Sequence, residues 1–369
     1  MTRVLVLNCG SSSVRYRLYD GSDVLAKGLV QRIGESGGDA ADHDEALRTL
    51  MDRLDLSGLA AVGHRVVHGG ERFTTSTVIT DEVVAAVEEL IPLAPLHNPG
   101  ALTGIRVARK LLPEVPQVAV FDTAFHSTIP PEGVLWAVDR DLAERYGLRR
   151  YGFHGTSHAY VSRETARVLG TPAAETNVIT LHLGNGASAA AVRGGRCVAT
   201  SMGMTPLSGL VMGTRSGDID PSLVFHLHRE AGMSLDEIEE SLTRHGGMLG
   251  LTGANDMREV QERVTSGDPD AVLAFAVYTR RLREYVGAYL AVLGRVDAIT
   301  FTAGVGENSP EVRAAALSGL EPLGIRIDEA RNRANALIIS PPGAPITVCV
   351  VPTEEELEIA DESRRALSL

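Results

Sequence analysis

Short apolar runs alternate with helix-length patterns along the whole chain, and one arrangement of them is written twice. Residues 3–21 read RVLVLNCGSSSVRYRLYDG and residues 177–195 read NVITLHLGNGASAAAVRGG. Laid over each other without a gap, Val4 falls on Val178, Leu7 on Leu181, Asn8 on His182, Gly10 on Gly184 and Gly21 on Gly195. Each copy predicts an apolar strand, a turn of small polar residues, a second strand and a glycine turn. A strand ending in Gly, Ser and Asn leaves backbone N–H groups free to face an anion. Two copies predict two similar domains holding one polyphosphate.

The rest of the pattern is compatible with that duplication. In the first half, a third strand is expected at residues 24–30, a polar, Gly-rich loop at 34–45 and a helix at 46–54. A strand at 60–67 runs into the Gly69-Gly70 turn, and a helix is expected at 81–90. Pro92, Pro95 and Pro99 break the chain before a helix at 101–112 and a buried strand at 117–121. In the second half, three strands precede a long loop at 202–220. Helices follow at 234–242 and 270–293, then a strand at 297–302, a helix at 310–319 and a last strand at 346–351. Thr353 with Glu356 reads as a capping box opening a C-terminal helix. Strands alternating with helices in this order indicate an α/β layer fold. A boundary is expected near 145–176, giving domains at 1–150 and 151–353, with the helix 354–369 joining the first.

Composition narrows the class. With 369 residues, 44% hydrophobic and 22% charged, the chain reads as a globular protein of two or three domains. A net charge of −12 without a basic run argues against nucleic acid as a partner. No apolar run reaches the length of a membrane span. Cys9, Cys197 and Cys349 are dispersed in apolar settings, which fits buried thiols in a reducing compartment. With no secretory h-region at the start, a cytoplasmic location is expected.

Several polar segments could carry chemistry. Gly304-Val305-Gly306-Glu307-Asn308 follows a strand, where nucleotide phosphate or ribose sits in many α/β proteins. It lacks the third glycine of the dinucleotide pattern, and no Gly-Lys-Ser/Thr loop exists. Arg65 closes an apolar strand beside a glycine turn, and Arg215 lies in a loop of small residues. Both are placed to clamp carboxylate or phosphate. The plain alternative for either is a structural arginine paired with an aspartate. Asp122 follows a buried strand, where it could orient a reacting group or cap a helix. His154 lies between Phe153 and Gly155 and could donate a hydrogen bond to developing charge. Histidines 64, 68, 97, 126, 158 and 182 lie in the same kinds of segment, but they lack zinc-ligand spacing.

Taken together, the stretches 8–13, 63–73, 95–99, 121–126, 151–158, 182–186, 201–220 and 304–309 resemble the acetate kinase family, with 353–357 matching less completely. The resemblance implies a duplicated pair of actin-like, ribonuclease H-like α/β domains with an ATP cleft between them. It implies reversible, Mg²⁺-dependent transfer of the ATP γ-phosphoryl to acetate, giving acetyl phosphate and ADP, with Mn²⁺ as a substitute metal. Asn8 and Glu355 would hold the metal, and Ser11, Ser13 and Arg15 would line the phosphate side. Arg65 and Arg215 would bind the carboxylate and the transferring phosphoryl. Asp122 would be the catalytic acid and His154 a transition-state stabiliser, with His97 and His182 assisting. His182, Leu183, Gly184, Asn185 and Gly186, with Asp256, Met257, Arg258 and Gly304 to Asn308, would bind ATP. Val67, Leu96, Phe153 and Pro206 would form the pocket for the acetate methyl. A homodimer is also implied.

The chain departs from the family in having Arg15 where Lys is common and Glu354 where Asn is common, and the segment after its third strand is shorter. Because a carboxylate is already nucleophilic, Asp122 is expected to orient an arginine or the metal's water shell rather than remove a proton. A propionate or other short-chain acyl kinase is the near alternative, and an actin- or Hsp70-like ATPase the distant one.

Overall fold

The fold, seen in a computed structural model that describes residues 2–369, contains two mixed sheets. Two compact units emerge from the packing: Met1–Ser127 with Phe153–Ser157 and Glu354–Leu369, and Thr128–Gly152 with His158–Thr353. Thr128–Gly152 thus packs with the second unit, although it precedes the expected boundary at 150. Glu354–Leu369 packs with the first.

The first unit holds β1 (Arg3–Cys9), β2 (Val14–Asp20), β3 (Asp23–Val30), β4 (Leu59–Val66), β5 (Thr77–Val78) and β6 (Gln117–Phe121), in the order β3-β2-β1-β4-β6-β5. Val4, Leu5, Val6 and Leu7 are all buried because both faces of this sheet are covered. Val4 and Val6 pack with Ile359 and Ala360 of the helix Glu355–Leu367. Leu5 and Leu7 pack on the opposite face with Leu47, Leu50 and Ala108 from the helices His43–Arg53 and Asn98–Leu111. The C-terminal helix therefore supplies one side of the first core.

The second unit holds β7 (Asn177–Leu183), β8 (Ala187–Arg193), β9 (Arg196–Thr200), β10 (Ala298–Thr302) and β11 (Thr347–Val350), in the order β11-β10-β7-β8-β9. Read from the hairpin edge, this is the first sheet again without β5. In each, an antiparallel three-strand meander is followed by two parallel strands. The fold class expected from the sequence is therefore the one observed.

The ungapped overlay of the two hairpins needs one correction. Asn8 pairs with Arg15 and Cys9 with Val14, leaving the turn Gly10-Ser11-Ser12-Ser13. His182 pairs with Ser188 and Leu183 with Ala187, leaving only Gly184-Asn185-Gly186. The second turn is one residue shorter, so β2 and β8 are offset by one from the overlay that fits β1 and β7. Two further expectations differ. The C-terminal helix begins at Glu355, and its N-cap Glu354 makes no side-chain capping bond, so Thr353 and Glu356 do not form the capping box. The helix Gly155–Leu169 occupies the segment expected to hold the boundary.

Candidate active site

In the first unit the hairpin turn closes on itself through Gly10 N–H donating to the Ser13 carbonyl at 2.8 Å. The start of the helix Asn98–Leu111 lies against it. A Cβ on Gly100 would come within 2.6 Å of the Gly10 carbonyl oxygen, so a side chain there would push turn and helix apart. A cavity of about 280 Å³ opens beside the turn, lined by Asn8, Ser13, Arg15, Arg65, Val67 and His97 among others. The side-chain amide of Asn8 has no hydrogen-bond partner among the described residues. Ser11 is exposed on the turn.

Arg65 ends up at this cavity because β4 and β6 run parallel, with Arg65 in register with Val120. Asp122 follows directly on β6, and its N–H donates to the Val66 carbonyl. Arg65 Nε donates to Asp122 Oδ1 at 3.0 Å and Nη2 to Oδ2 at 2.7 Å, a two-pronged grip on a carboxylate that is 1% exposed. Glu355 Oε2 lies 3.8 Å from the same Nη2 and 3.5 Å from Thr156 Oγ1. Burial pulls the Arg65 pKa down, but the facing carboxylates of Asp122 and Glu355 more than reverse this, and the guanidinium stays charged. Asp122 caps no helix. Its carbonyl instead accepts from Gly155 N–H at 3.0 Å, and a Cβ on Gly155 would meet that oxygen at 2.2 Å. His154, just before, has φ +57°, a left-handed conformation costly for a non-glycine residue and held by this contact beside it. Phe153 is buried with its ring edge-on to His68 at 5.5 Å, while Leu96 is 60% exposed.

The two departures from the family pattern have partners. Glu354 takes a hydrogen bond from Arg17 Nη1 at 2.5 Å, and Arg15 lies 3.7 Å from Glu356. The added carboxylate is thus neutralised by an arginine of β2. The histidines divide more sharply than their sequence settings suggest. His64 bonds Gln117, His126 bonds the Phe153 carbonyl, and His158 bonds Thr180 and Ser188. All three are fully buried and belong to the core.

In the second unit a pocket of about 520 Å³ is lined by Gly184, Asn185, Asp256, Met257, Arg258, Gly304, Val305 and Asn308, with Asn255, Gln261 and Ser309. Three segments far apart in sequence meet there because β7 and β10 are parallel neighbours, so the turn after β7 and the loop after β10 emerge at one sheet end. Asp256 caps the helix Met257–Thr265, and Arg258 grips it through two nitrogens. The Arg258 bonds, side-chain first, hold the Asp256 pKa down at about 2. His182 and Leu183 lie in β7 behind the lining, and Gly186 closes the turn by accepting from Gly184 N–H at 3.0 Å. Gly306 and Glu307 also stand behind the lining. Glu307 Oε1 accepts from the N–H groups of Ala303 and Thr353, at 2.8 and 3.1 Å, which fastens the loop to the end of β11's connection.

Arg313 is the residue the sequence reading missed. It is fully buried, it makes no ion pair among the described residues, and its guanidinium makes five hydrogen bonds. Two of them go to the carbonyls of Gly306 and Glu307, at 2.8 and 3.0 Å, behind the pocket loop. Burial lowers its pKa to about 10, leaving it charged at neutral pH. The available signal was an arginine amid the apolar residues of a short helix, Pro310–Leu317, just after the glycine loop.

Arg215 lies in the irregular stretch 201–220 of the same unit. Asn185 O accepts from Gly213 N–H at 3.0 Å, tying this stretch to the second hairpin turn. A Cβ on Gly213 would meet Asn185 Oδ1 at 2.0 Å, so a side chain there would have to displace the Asn185 amide. Arg215 Nη1 donates to the Pro206 carbonyl at 3.2 Å and lies 3.8 Å from Met212 Sδ. Among the described residues it has no ion pair, and burial lowers its pKa. Arg65 therefore has two carboxylates beside it, whereas Arg215 is a half-buried cation with none.

Residues 3–361 match the acetokinase family. The chain belongs to the acetokinase family. A curated relative from Streptomyces coelicolor, named acetate kinase, is 57% identical over 396 aligned positions, covering 100% of this chain and 97% of the relative. Among solved structures, acetate kinase from Porphyromonas gingivalis superposes with a TM-score of 0.94 at 42% identity, covering 100% of each chain. A propionate kinase from Francisella tularensis superposes equally well, with a TM-score of 0.94 at 40% identity, covering 99% of this chain and 100% of that one. Membership of the acetokinase family makes the chain a kinase, an enzyme of phosphoryl transfer with a nucleotide as cosubstrate.

Proposed function

We propose that this chain is an acetate kinase in activity, transferring the γ-phosphoryl of ATP to acetate and making acetyl phosphate and ADP, reversibly. The observation that carries the reading is the contrast between the two arginines. Phosphoryl transfer to a carboxylate brings two anions together, so the site must supply positive charge that is not already spent. Arg215 supplies that charge, with no carboxylate of its own, tied through Gly213 to a hairpin turn that lines the nucleotide pocket. Arg65, fixed by Asp122, offers a rigid fork at the cavity that Val67 also lines.

The roles follow from these placements. Gly184, Asn185, Asp256–Arg258, Gly304, Val305 and Asn308 hold ATP; Arg65 holds the acid; Arg215 takes the charge that develops on the moving phosphoryl. Asp122 acts as a positioning residue, holding Arg65 Nε and Nη2, since a carboxylate nucleophile needs no base. His154, held in its left-handed conformation, donates toward the phosphoryl oxygens. Asn8 and Glu355 offer oxygen donors suited to Mg²⁺, which takes few protein ligands and keeps waters and substrate phosphates. This suits a chain in which no three His, Cys, Asp or Glu residues cluster as a metal site among the described residues. When bound, the ion neutralises charge on the phosphate oxygens. A cytoplasmic homodimer belongs to the same proposal and is read by light scattering and fractionation. Among the described residues, no helix is long and apolar enough to cross a membrane.

The test is to trap the acyl phosphate with hydroxylamine while supplying ATP, Mg²⁺ and a panel of short acids. Acetate is expected to give the highest kcat/KM. A propionate preference is the second reading, favoured by the Francisella tularensis structure. One methylene in an apolar pocket is worth only about 1–3 kcal/mol, so the panel must include propionate and butyrate. No trapped product with any of them would overturn the proposal.

A further inference from the structure

Arg215 stands on a stretch without helix or strand, yet that stretch is fastened at a place remote from Arg215 in sequence. Its two limbs are joined by Asp218. The Asp218 N–H donates to the Gly209 carbonyl at 3.0 Å, and Gly209 N–H donates to Asp218 Oδ1 at 2.7 Å. Gly217, at φ +70°, lets the limbs close. A Cβ there would meet the carbonyl oxygens of Leu210 and Gly209 at 2.5 and 2.6 Å. The other oxygen, Asp218 Oδ2, accepts from the Tyr285 hydroxyl at 2.5 Å. Arg281, one turn earlier on the helix Pro269–Leu293, donates Nη1 to the carbonyls of Gly209 and Asp218, each at 3.2 Å.

These bonds close the two ends of a segment, residues 210–216, that contains Arg215 and whose backbone is also bonded at Ser216 to the Leu242 carbonyl and at the Thr214 carbonyl to Gly246 N–H, each at 3.0 Å. Its far side is held by backbone bonds from Met248 to Met212 and from Leu249 to Gly213. We infer that Asp218, gripped by Tyr285 and Arg281, is a positioning device for the Arg215 guanidinium, and that this device acts on the phosphoryl-transfer step. The inference rests on the reading of Arg215 as the phosphoryl clamp. Tyr285 also faces Tyr289 edge-on at 5.7 Å, which leaves its ring little freedom to carry the hydroxyl elsewhere. Burial, followed by the Asp218 carboxylate, raises the Tyr285 pKa, so the phenol remains a donor at neutral pH. A clamp displaced by about 1 Å can lose on the order of 100-fold in rate, so a hydroxyl that sets its position is visible in kcat.

The experiment is a double-mutant cycle on the full chain with Tyr285→Phe and Arg215→Lys, measuring kcat, KM for ATP, KM for acetate and melting temperature. Tyr285→Phe alone should lower kcat roughly 10- to 100-fold, with KM for ATP and melting temperature held. In the Arg215→Lys background the same change should cost less than about twofold, because the group it positions is already gone. Asp218→Asn serves as the second variant and should show the same coupling if Tyr285→Phe folds poorly. Equal losses in the two backgrounds, or no loss of kcat on the native background, would overturn the inference alone. A near-native rate for Arg215→Lys would instead overturn the clamp reading, and this inference with it.

Discussion

The two hairpins share a strand order and differ in what their turns meet. The turn at residues 10–13 has four residues and opens on a cavity holding Asn8, Arg15 and Arg65. The turn at 184–186 has three and lines a pocket with the glycine loop at 304 and the capped helix at 256. One fold unit is used twice, and the proposed function assigns acid and metal to one copy and nucleotide to the other. The difference lies in the turns, four residues against three, and in the segments that follow the hairpins. In the first unit these segments bring a paired arginine. In the second they bring an unpaired one.

The sharpest way to break that contrast is to remove each arginine in turn. Arg215→Ala should lower kcat by about 10²–10³-fold or more, the scale of losing a transition-state donor, while the melting temperature holds because no charged partner is left uncompensated and the only oxygen to lose a donor is the Pro206 carbonyl. Arg65→Ala should also abolish most activity, but it should destabilise the fold by about 3–5 kcal/mol, since it strands the buried Asp122 carboxylate. Steady-state ADP release and thermal melts on the two variants read both quantities. Equal melting temperatures would erase the distinction.

Next in size is Gly155→Ala. A Cβ 2.2 Å from the Asp122 carbonyl oxygen must move either that backbone or His154. A loss of roughly 100-fold in kcat/KM is expected, with nucleotide binding retained because the pocket lies in the other unit. Loss of nucleotide affinity would argue against the division of labour. Arg313→Met probes the second unit in the opposite way. It should raise KM for ATP by about tenfold, as two loop carbonyls lose charged donors, and leave KM for acetate unchanged. A shift in the acetate KM alone would sink the role given to Arg313.

Much of this was legible before the fold was known. The repeat in the apolar pattern marked the duplication, and the glycine-rich segments marked most of the residues that line the two cavities. What escaped had physical reasons. The one-residue difference between turns is invisible to an overlay that fits one strand of each hairpin and forces the other. The pairing of Arg65 with Asp122 depends on strands brought together by parallel pairing, and the lack of an ion pair at Arg215 on how an irregular stretch folds, neither of which local pattern encodes. Arg313 has no motif, and its five acceptors come from two separate segments, 306–307 and 332–335. The histidines misled in the other direction. Glycine-rich surroundings suggested chemistry at His64, His126 and His158, but the sheet buries them with polar partners.

Those core histidines act on stability alone and leave the rate untouched. Burial, the largest cause, lowers the pKa of His64 and of His126 to about 4. In the unfolded chain a histidine titrates near 6.5. Below that value the unfolded state takes up protons that the folded state refuses, so stability is full above pH 6.5 and falls as pH drops toward 4. Each histidine accounts for up to about 3 kcal/mol of that fall. Chemical denaturation at steps between pH 7 and 4 should show it, and His64→Asn should flatten the slope. An unchanged slope in that variant would contradict the burial reading of His64.

The most direct measurement is the rate of ADP release from ATP and Mg²⁺ as acetate is titrated in. The division of labour between the two units predicts a low rate without acid and a saturable rise with acetate, matched mole for mole by acetyl phosphate. Turnover of ATP that does not respond to acetate would mean that the paired and unpaired arginines serve some other reaction.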